Sequence, residues 1–127
     1  MFVTELRVRG YELDSYGHVN NAVYLQYLEQ ARWEIISKLE GLEYLRKQDL
    51  LLVVAEIKIR YMRESNLFDD LVIESDVRDE SPYLVFYQKI RNRKNRLLVS
   101  KAIVRTVFVN KNKIPQDIPQ LFNKNKH

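Results

Sequence analysis

The sequence contains no cysteine and has only two histidines, one of which is the last residue, His127. Without cysteine there can be no disulfide, thiolate nucleophile or thiolate metal ligand. A single internal histidine, His18, argues against a multi-histidine metal site. The only glycines are Gly10, Gly17 and Gly41, which are too few and too far apart for a glycine-rich phosphate loop. We therefore expect no metal and no cofactor, and any covalent chemistry must use oxygen or nitrogen groups.

Long hydrophobic runs are missing as well. The longest apolar run covers residues 50–55, well short of the roughly 18 residues that suggest a membrane span. The opening MFVTELRVRG carries charges where a signal peptide has its apolar segment. We expect no membrane span, a cytoplasmic location, and a single domain over residues 1–127, because this length holds one hydrophobic core.

Positive charge is in modest excess, with a net charge of +4 at pH 7. Such an excess favours anionic partners, which include phosphate-bearing small molecules as much as nucleic acid. The basic residues are scattered, and their one dense cluster, RNRKNR at 91–96, is a short predicted turn. We therefore expect no nucleic-acid partner.

The periodicity predicts one long helix among strands. Residues 2–9 alternate in part, which indicates a strand that ends at Gly10. From about Asn21 to Leu39, apolar residues recur every three or four positions, which predicts a helix that Gly41 ends. After Leu50, β-branched and aromatic segments predict four further strands. The fold class is α+β, an antiparallel sheet of about five strands around one long central helix.

The last predicted strand, LLVSKAIVRTVFV at 97–109, carries apolar residues on both faces over part of its length. A five-stranded sheet covered by one helix also leaves edge strands that invite pairing. We therefore expect an oligomer, at least a dimer.

The stretch DSYGHVNN places Asp14, His18, Asn20 and Asn21 directly before the helix. Asn20 or Asn21 could simply cap the helix, and Asp14 and Gly17 could be turn residues. The same residues also suit acyl transfer, because exposed amides at a helix N-terminus favour a thioester oxyanion. A nearby carboxylate could attack the carbonyl or activate a water molecule.

Asp14 is the favoured carboxylate because the turn at 15–17 can fold it back to the helix start. His18 could orient that carboxylate, contact substrate, or only close the loop. A serine nucleophile is disfavoured, since no G-x-S-x-G stretch is present and Ser15 is too close in sequence to Asp14 and His18 to form a relay.

Residues 8–33, VRGYELDSYGHVNNAVYLQYLEQARW, resemble the opening of hotdog-fold acyl-CoA thioesterases of the 4-hydroxybenzoyl-CoA thioesterase family, above all its bacterial long-chain members. Residues 59–75, IRYMRESNLFDDLVIES, resemble that family's second motif. Two positions depart from related patterns: Tyr16 stands where plant acyl-carrier-protein thioesterases have an asparagine, and Glu64 replaces the usual proline. The resemblance implies a hotdog fold and hydrolysis of acyl-CoA, with medium to long fatty acyl chains, to free acid and coenzyme A.

The resemblance also implies roles for particular residues. Asp14 would be the nucleophile or general base, and a backbone amide at about 21–23 would polarise the thioester carbonyl. The active sites would lie at the interface of a homodimer, which often pairs again into a homotetramer. The predicted site therefore comprises catalytic Asp14, His18 and Asn21, and substrate-binding Asn20, Tyr24, Tyr61 and Arg63.

Glu29 on the helix is a competing carboxylate, but its spacing favours an ion pair with Arg32. Basic candidates for the phosphates of coenzyme A are Arg60, Arg63, the 91–96 turn, Lys111 and Lys113. Two alternative functions remain open. One is a non-catalytic acyl-CoA-binding module, and the other is a hotdog 3-hydroxyacyl thioester dehydratase, whose second histidine could only be His127.

Overall fold

The fold consists of an antiparallel sheet with helices on one face, in a computed structural model that describes residues 1–122. His127 lies outside these described residues. The elements are β1 (Phe2–Arg7), α1 (Asn21–Lys38), α2 (Gly41–Lys47), β2 (Leu51–Tyr61), β3 (Asp70–Glu80), β4 (Tyr83–Asn92), β5 (Leu98–Val109) and β6 (Pro115–Gln116). Neighbouring strands pair in the order β1-β3-β4-β5-β2, and β6 pairs with β5. This architecture confirms the predicted α+β class.

The long helix α1 lies on the inner face of the sheet, and its apolar stripe forms half of the core. Tyr24, Leu28 and Ile35 are each buried at helical spacing, as the periodicity predicted. They face alternate residues of the central strands, such as Phe86 and Val104, which have no solvent exposure. Within residues 1–122, neither helix is long and apolar enough to cross a membrane.

A second helix, α2, was not predicted. Gly41, which we expected to end the long helix, instead begins α2. The chain turns at Glu40, whose φ of 60° lies in the left-handed region. A side chain on Gly41 would bring its Cβ to 2.7 Å from the Phe122 ring, so this glycine serves close packing. A helix of seven residues is too short to give a clear periodic signal.

The two edges of the sheet are β1 and β2, whereas we had inferred open surface from the strand at 97–109. That strand, β5, lies inside the sheet between β4 and β2. Val104 and Phe108 on one face of β5 are buried, whereas Ile103 and Val107 on the other face are half-buried. β2 has 11 residues and pairs on one side only. Its Leu51, Val53 and Val54 are 53, 42 and 42% exposed.

Candidate active site

The stretch before α1 folds into a tight turn that Asp14 holds closed. The amide of Asp14 donates to the carbonyl of His18 at 2.8 Å. Asp14 Oδ1 accepts from the amides of Tyr16 (2.9 Å) and His18 (3.2 Å). Gly17 has a φ of +81°, a left-handed conformation that glycine adopts without strain. Oδ1 is therefore occupied, while Oδ2 accepts no hydrogen bond from residues 1–122.

Backbone pairing brings this turn against the loop after β2. His18 forms an isolated antiparallel bridge with Asn66, and the amide of Val19 donates to the carbonyl of Ser65 at 3.0 Å. As a result, His18 Nε2 lies 3.1 Å from Glu64 Oε2. The sequence had marked Glu64 only as a departure from the family pattern, and nothing in it indicated this contact.

The helix cap leaves one amide available. Asn20 is the N-cap, and its Oδ1 accepts from the amide of Ala22 at 2.9 Å. The amide of Val23 donates to the carbonyl of Asn20, also at 2.9 Å. Among the amides at 21–23, only that of Asn21 has no acceptor within the described part of the chain. Of the amides expected to polarise a thioester carbonyl, that of Asn21 is therefore the one available to a substrate.

A cavity of about 520 Å³ lies beside this helix start. Asn20, although predicted to bind substrate, is not among its lining residues, because its side chain serves the cap. Sequence reasoning missed the contributions of Met62 and Glu64. The predicted site residues that do line the cavity are Asp14, His18, Asn21, Tyr24, Tyr61 and Arg63.

The cavity has an aromatic wall. The rings of Tyr24 and Tyr61 lie 5.6 Å apart, and the Tyr61 hydroxyl donates to the carbonyl of Asn21 at 3.0 Å. Burial raises the pKa of Tyr24, against the opposing effect of nearby Ser65, so Tyr24 stays neutral. The guanidinium of Arg63 donates to the carbonyl of Leu98 at 2.6 Å, which anchors this cation at the rim.

The buried carboxylate of Glu12 stabilises the turn. Glu12 is 5% exposed and accepts hydrogen bonds from the Tyr27 hydroxyl and the Arg9 guanidinium, both at 2.7 Å. Its carbonyl accepts from the amide of Asn20 at 3.0 Å. Burial alone would raise the pKa of Glu12, but the hydrogen bonds from Arg9 and Tyr27 hold that pKa below its usual range. Glu12 thus ties the turn to the helix.

Glu29 and Arg32 do not form the close ion pair that their spacing predicted. Arg32 turns inward, is 8% exposed, and donates from Nη1 to Oε1 of Gln88 at 3.1 Å. Glu29 stays exposed and accepts from Trp33 Nε1 at 3.4 Å. The sequence spacing did not predict this arrangement, because Arg32, like Ala31, lies on the buried face of α1. Glu29 lines a different cavity from Asp14.

Comparison with known proteins gives consistent results. Residues 8–124 match the thioesterase-like superfamily. The chain is 42% identical over 74 residues to the long-chain acyl-CoA thioesterase FadM of Escherichia coli, covering 58% of this chain and 56% of FadM. It is 29% identical over 129 residues to the acyl-CoA thioesterase YbgC of Haemophilus influenzae, covering 96% of this chain and 94% of YbgC.

A solved structure agrees over nearly the whole length. The crystal structure of YbaW, a probable thioesterase from Escherichia coli, superposes with a TM-score of 0.84 at 31% identity, covering 91% of this chain and 89% of YbaW. The sheet wrapped around one long helix is therefore the hotdog fold, as the resemblance implied. The chain belongs to the thioesterase-like superfamily. In the FadM match it spans little more than half of that relative's length.

Proposed function

We propose that this protein hydrolyses acyl-CoA thioesters to the free acid and coenzyme A. One observation carries the proposal: Oδ2 of Asp14 and the amide of Asn21, neither of which has a hydrogen-bond partner within residues 1–122, belong to residues that line one cavity. A carboxylate and an oxyanion donor are the groups that thioester hydrolysis requires. Membership of the thioesterase-like superfamily and similarity to the acyl-CoA thioesterases FadM and YbgC support the same activity.

The chemistry follows from these two groups. With Asp14 as general base, Oδ2 takes a proton from water as the water oxygen attacks the thioester carbonyl carbon. The Asn21 amide, at the positive end of the helix dipole, stabilises the resulting oxyanion. The intermediate collapses by breaking the C–S bond, and the coenzyme A thiolate leaves and takes up the proton from Asp14.

Asp14 could instead act as a nucleophile and form a mixed anhydride that water then hydrolyses. Both routes need an ionised Asp14 and the same oxyanion donor. Oδ1 is fixed by the Tyr16 and His18 amides, so either route positions Oδ2 in the same way.

The remaining site residues have supporting roles in the proposal. His18 lines the cavity and contacts the substrate or orients Asp14, while Asn20 fixes the helix start. Tyr24 and Tyr61 provide the apolar surface for the chain next to the thioester. Arg63 offers a cation at the rim for a phosphate of coenzyme A. A medium to long fatty acyl chain is the proposed substrate, and similarity to the long-chain acyl-CoA thioesterase FadM supports this length.

We also propose a homodimer or homotetramer. The exposed edge of β2, with Leu51, Val53 and Val54 open to solvent, is suited to pairing with a second copy. Tyr61 ends the same strand and lines the cavity, so such pairing places the site near the interface.

Palmitoyl-CoA hydrolysis by Asp14→Asn tests the activity. Asparagine keeps an oxygen for the Tyr16 and His18 amides, so the turn is preserved while the charged oxygen is lost. We expect kcat to fall by about 10²- to 10⁴-fold, and Glu29→Gln to have a far smaller effect. Unchanged turnover in Asp14→Asn, or a larger loss in Glu29→Gln, would reject the assignment. Palmitoyl-CoA binding without turnover by the unaltered protein would instead indicate the non-catalytic module.

A further inference from the structure

A second cavity, of about 460 Å³, lies between α1, α2 and β2. Its walls are mainly aliphatic, with Leu25 and Ile36 from α1, Leu45 from α2, and Leu52 and Ile57 from β2. We call it the aliphatic groove. A methylene chain is the ligand that such walls favour, because burial of apolar surface stabilises it there.

The aliphatic groove follows the active-site cavity along α1 and β2. Asn21 and Tyr61 line that cavity, whereas Leu25 and Ile57 line the groove. Leu25 follows Asn21 by one helical turn on the same face of α1. Ile57 precedes Tyr61 by four residues on the same face of β2. The two cavities therefore succeed one another along the same helix and the same strand.

The groove contains a buried guanidinium at a distance from the reacting carbon. Arg32 lines the groove and follows Asn21 by 11 residues, which is about 16 Å along a helix axis. Within residues 1–122, the only hydrogen bond of the guanidinium is the one to Gln88. Gln88 is itself fixed, since its Nε2 donates to the Leu28 carbonyl and to Ser75 Oγ at 3.2 and 3.1 Å.

This guanidinium has N–H donors that the protein does not use. A guanidinium has five N–H donors, and within residues 1–122 its one hydrogen bond runs from Nη1 to Gln88. No Arg32 nitrogen is among the buried side-chain atoms without a partner in these residues, so the unused N–H groups keep access to the solvent of the groove. Burial lowers the pKa of Arg32, and the opposing charge of Glu29 compensates in part. Glu29 also lines the groove, so a second carboxylate would be repelled there. A neutral hydroxyl fits better, because it accepts from Arg32 and can donate to Glu29.

We propose that the aliphatic groove holds the acyl chain and that Arg32 selects chains that carry a hydroxyl at the end remote from the thioester. This specificity rests on the proposed thioesterase function, since it places the thioester beside Asp14. Tyr61, 41% exposed, stands where the chain passes from the active-site cavity into the groove. Arg32 is a specificity-determining residue and takes no part in the bond changes.

Binding can be measured without turnover. Trp33 is the only tryptophan in the sequence and lines the groove, so its fluorescence reports occupancy. The probes are three non-hydrolysable S-alkyl-CoA thioethers of equal chain length: one unsubstituted, one with a terminal hydroxyl, and one with a hydroxyl close to the sulfur. We expect the terminal hydroxyl to lower Kd by about tenfold or more, as for a hydrogen bond to a charged group.

The variants separate recognition from folding. Arg32→Met should abolish the preference for the terminal hydroxyl while keeping affinity for the unsubstituted chain. Arg32→Lys keeps the charge but loses the planar fork, and should retain part of the preference. Arg46→Met is the matched control, because Arg46 lies on the exposed side of α2 and its guanidinium pairs with Glu43 and with no other side chain of residues 1–122. It should keep the full preference.

Several results would overturn the proposal. These are equal affinity of the unaltered protein for the unsubstituted and terminal-hydroxyl probes, equal binding of the two hydroxyl positions, or an unchanged preference in Arg32→Met. An equal loss of affinity for all three probes in Arg32→Met would assign Arg32 to the fold alone. Because the assay needs no catalysis, its outcome is independent of the Asp14→Asn result.

Discussion

Nε2 of His18 lies 3.1 Å from Oε2 of Glu64, across the pairing between the turn that contains Asp14 and the loop after β2. The resemblance implies a proline at position 64, so the contact depends on a residue that departs from the family pattern. Both side chains belong to residues that line the cavity containing Asp14. The contact therefore places the Glu64 carboxylate next to the His18 imidazole in this cavity.

Replacing Glu64 by glutamine should have a small effect that depends on salt. The Glu64 side chain is 70% exposed, and its contact with His18 is an ion pair only while His18 is protonated. Exposed ion pairs contribute about 1 kcal/mol or less. We expect kcat/KM for palmitoyl-CoA to fall less than about tenfold in Glu64→Gln, and the difference to shrink as ionic strength rises under conditions in which His18 is protonated. A loss as large as that of Asp14→Asn would show that Glu64 does more than pair with His18.

Gly17 offers a test of the turn itself. Apart from its chain neighbours, no atom of the described residues lies within 4 Å of a Cβ built on Gly17, but the φ of Gly17 is +81°. Gly17→Ala should therefore cost about 1–2 kcal/mol of stability through backbone strain alone. It should also lower kcat by displacing Asp14. Thermal melting and palmitoyl-CoA kinetics measure the two effects.

Gly17→Asn is the matched control, because asparagine tolerates the left-handed conformation better than alanine. It should recover part of both the Tm and the rate. Equal damage from alanine and asparagine would mean that the position requires space rather than a left-handed backbone.

Local patterns in the sequence predicted the helix and the turn that precedes it. The helical spacing of apolar residues gave α1, and the asparagine cap was correctly expected at Asn20 or Asn21. Asp14 was expected in a turn at 15–17, and its Oδ1 indeed accepts from Tyr16 and His18. Each of these features arises from residues within a few positions of one another, where sequence carries most of the information.

Features that depend on distant contacts were not predictable. Arg32 turns inward because Gln88, on β4, provides an acceptor there, and spacing along α1 alone favoured Glu29. Likewise, the strands that form the two edges of the sheet, β1 and β2, follow from the strand order, which no single strand encodes.

The buried Glu12 should make stability depend on pH. Its pKa in the folded protein is lower than its usual value of about 4.3. Its contribution to stability is therefore fully present above the unfolded pKa and is lost as pH falls through the folded pKa. We expect Glu12→Gln to lower the free energy of unfolding by about 2 kcal/mol at neutral pH, and by less below about pH 4.

Denaturant unfolding across this pH range measures the effect. Tyr27→Phe removes one hydrogen bond to Glu12 and should cost about 1 kcal/mol, with a weaker pH dependence than Glu12→Gln. A difference between Glu12→Gln and the unaltered protein that stays constant from neutral to acid pH would contradict this account.

The two edges of the sheet provide a matched test of assembly. Val53 on β2 and Val3 on β1 are 42 and 43% exposed, each on a strand that ends the sheet. A lysine on an edge strand discourages pairing with another chain. If the protein assembles through β2, Val53→Lys should reduce its mass in solution to that of the 15.3 kDa chain, whereas Val3→Lys should leave the oligomer intact.

Light scattering after size exclusion measures the mass of both variants, and dissociation by Val3→Lys alone would move the interface to β1. Because Tyr61 lies at the end of β2 beside Asp14's cavity, Val53→Lys should also lower thioesterase activity in proportion to the fraction dissociated.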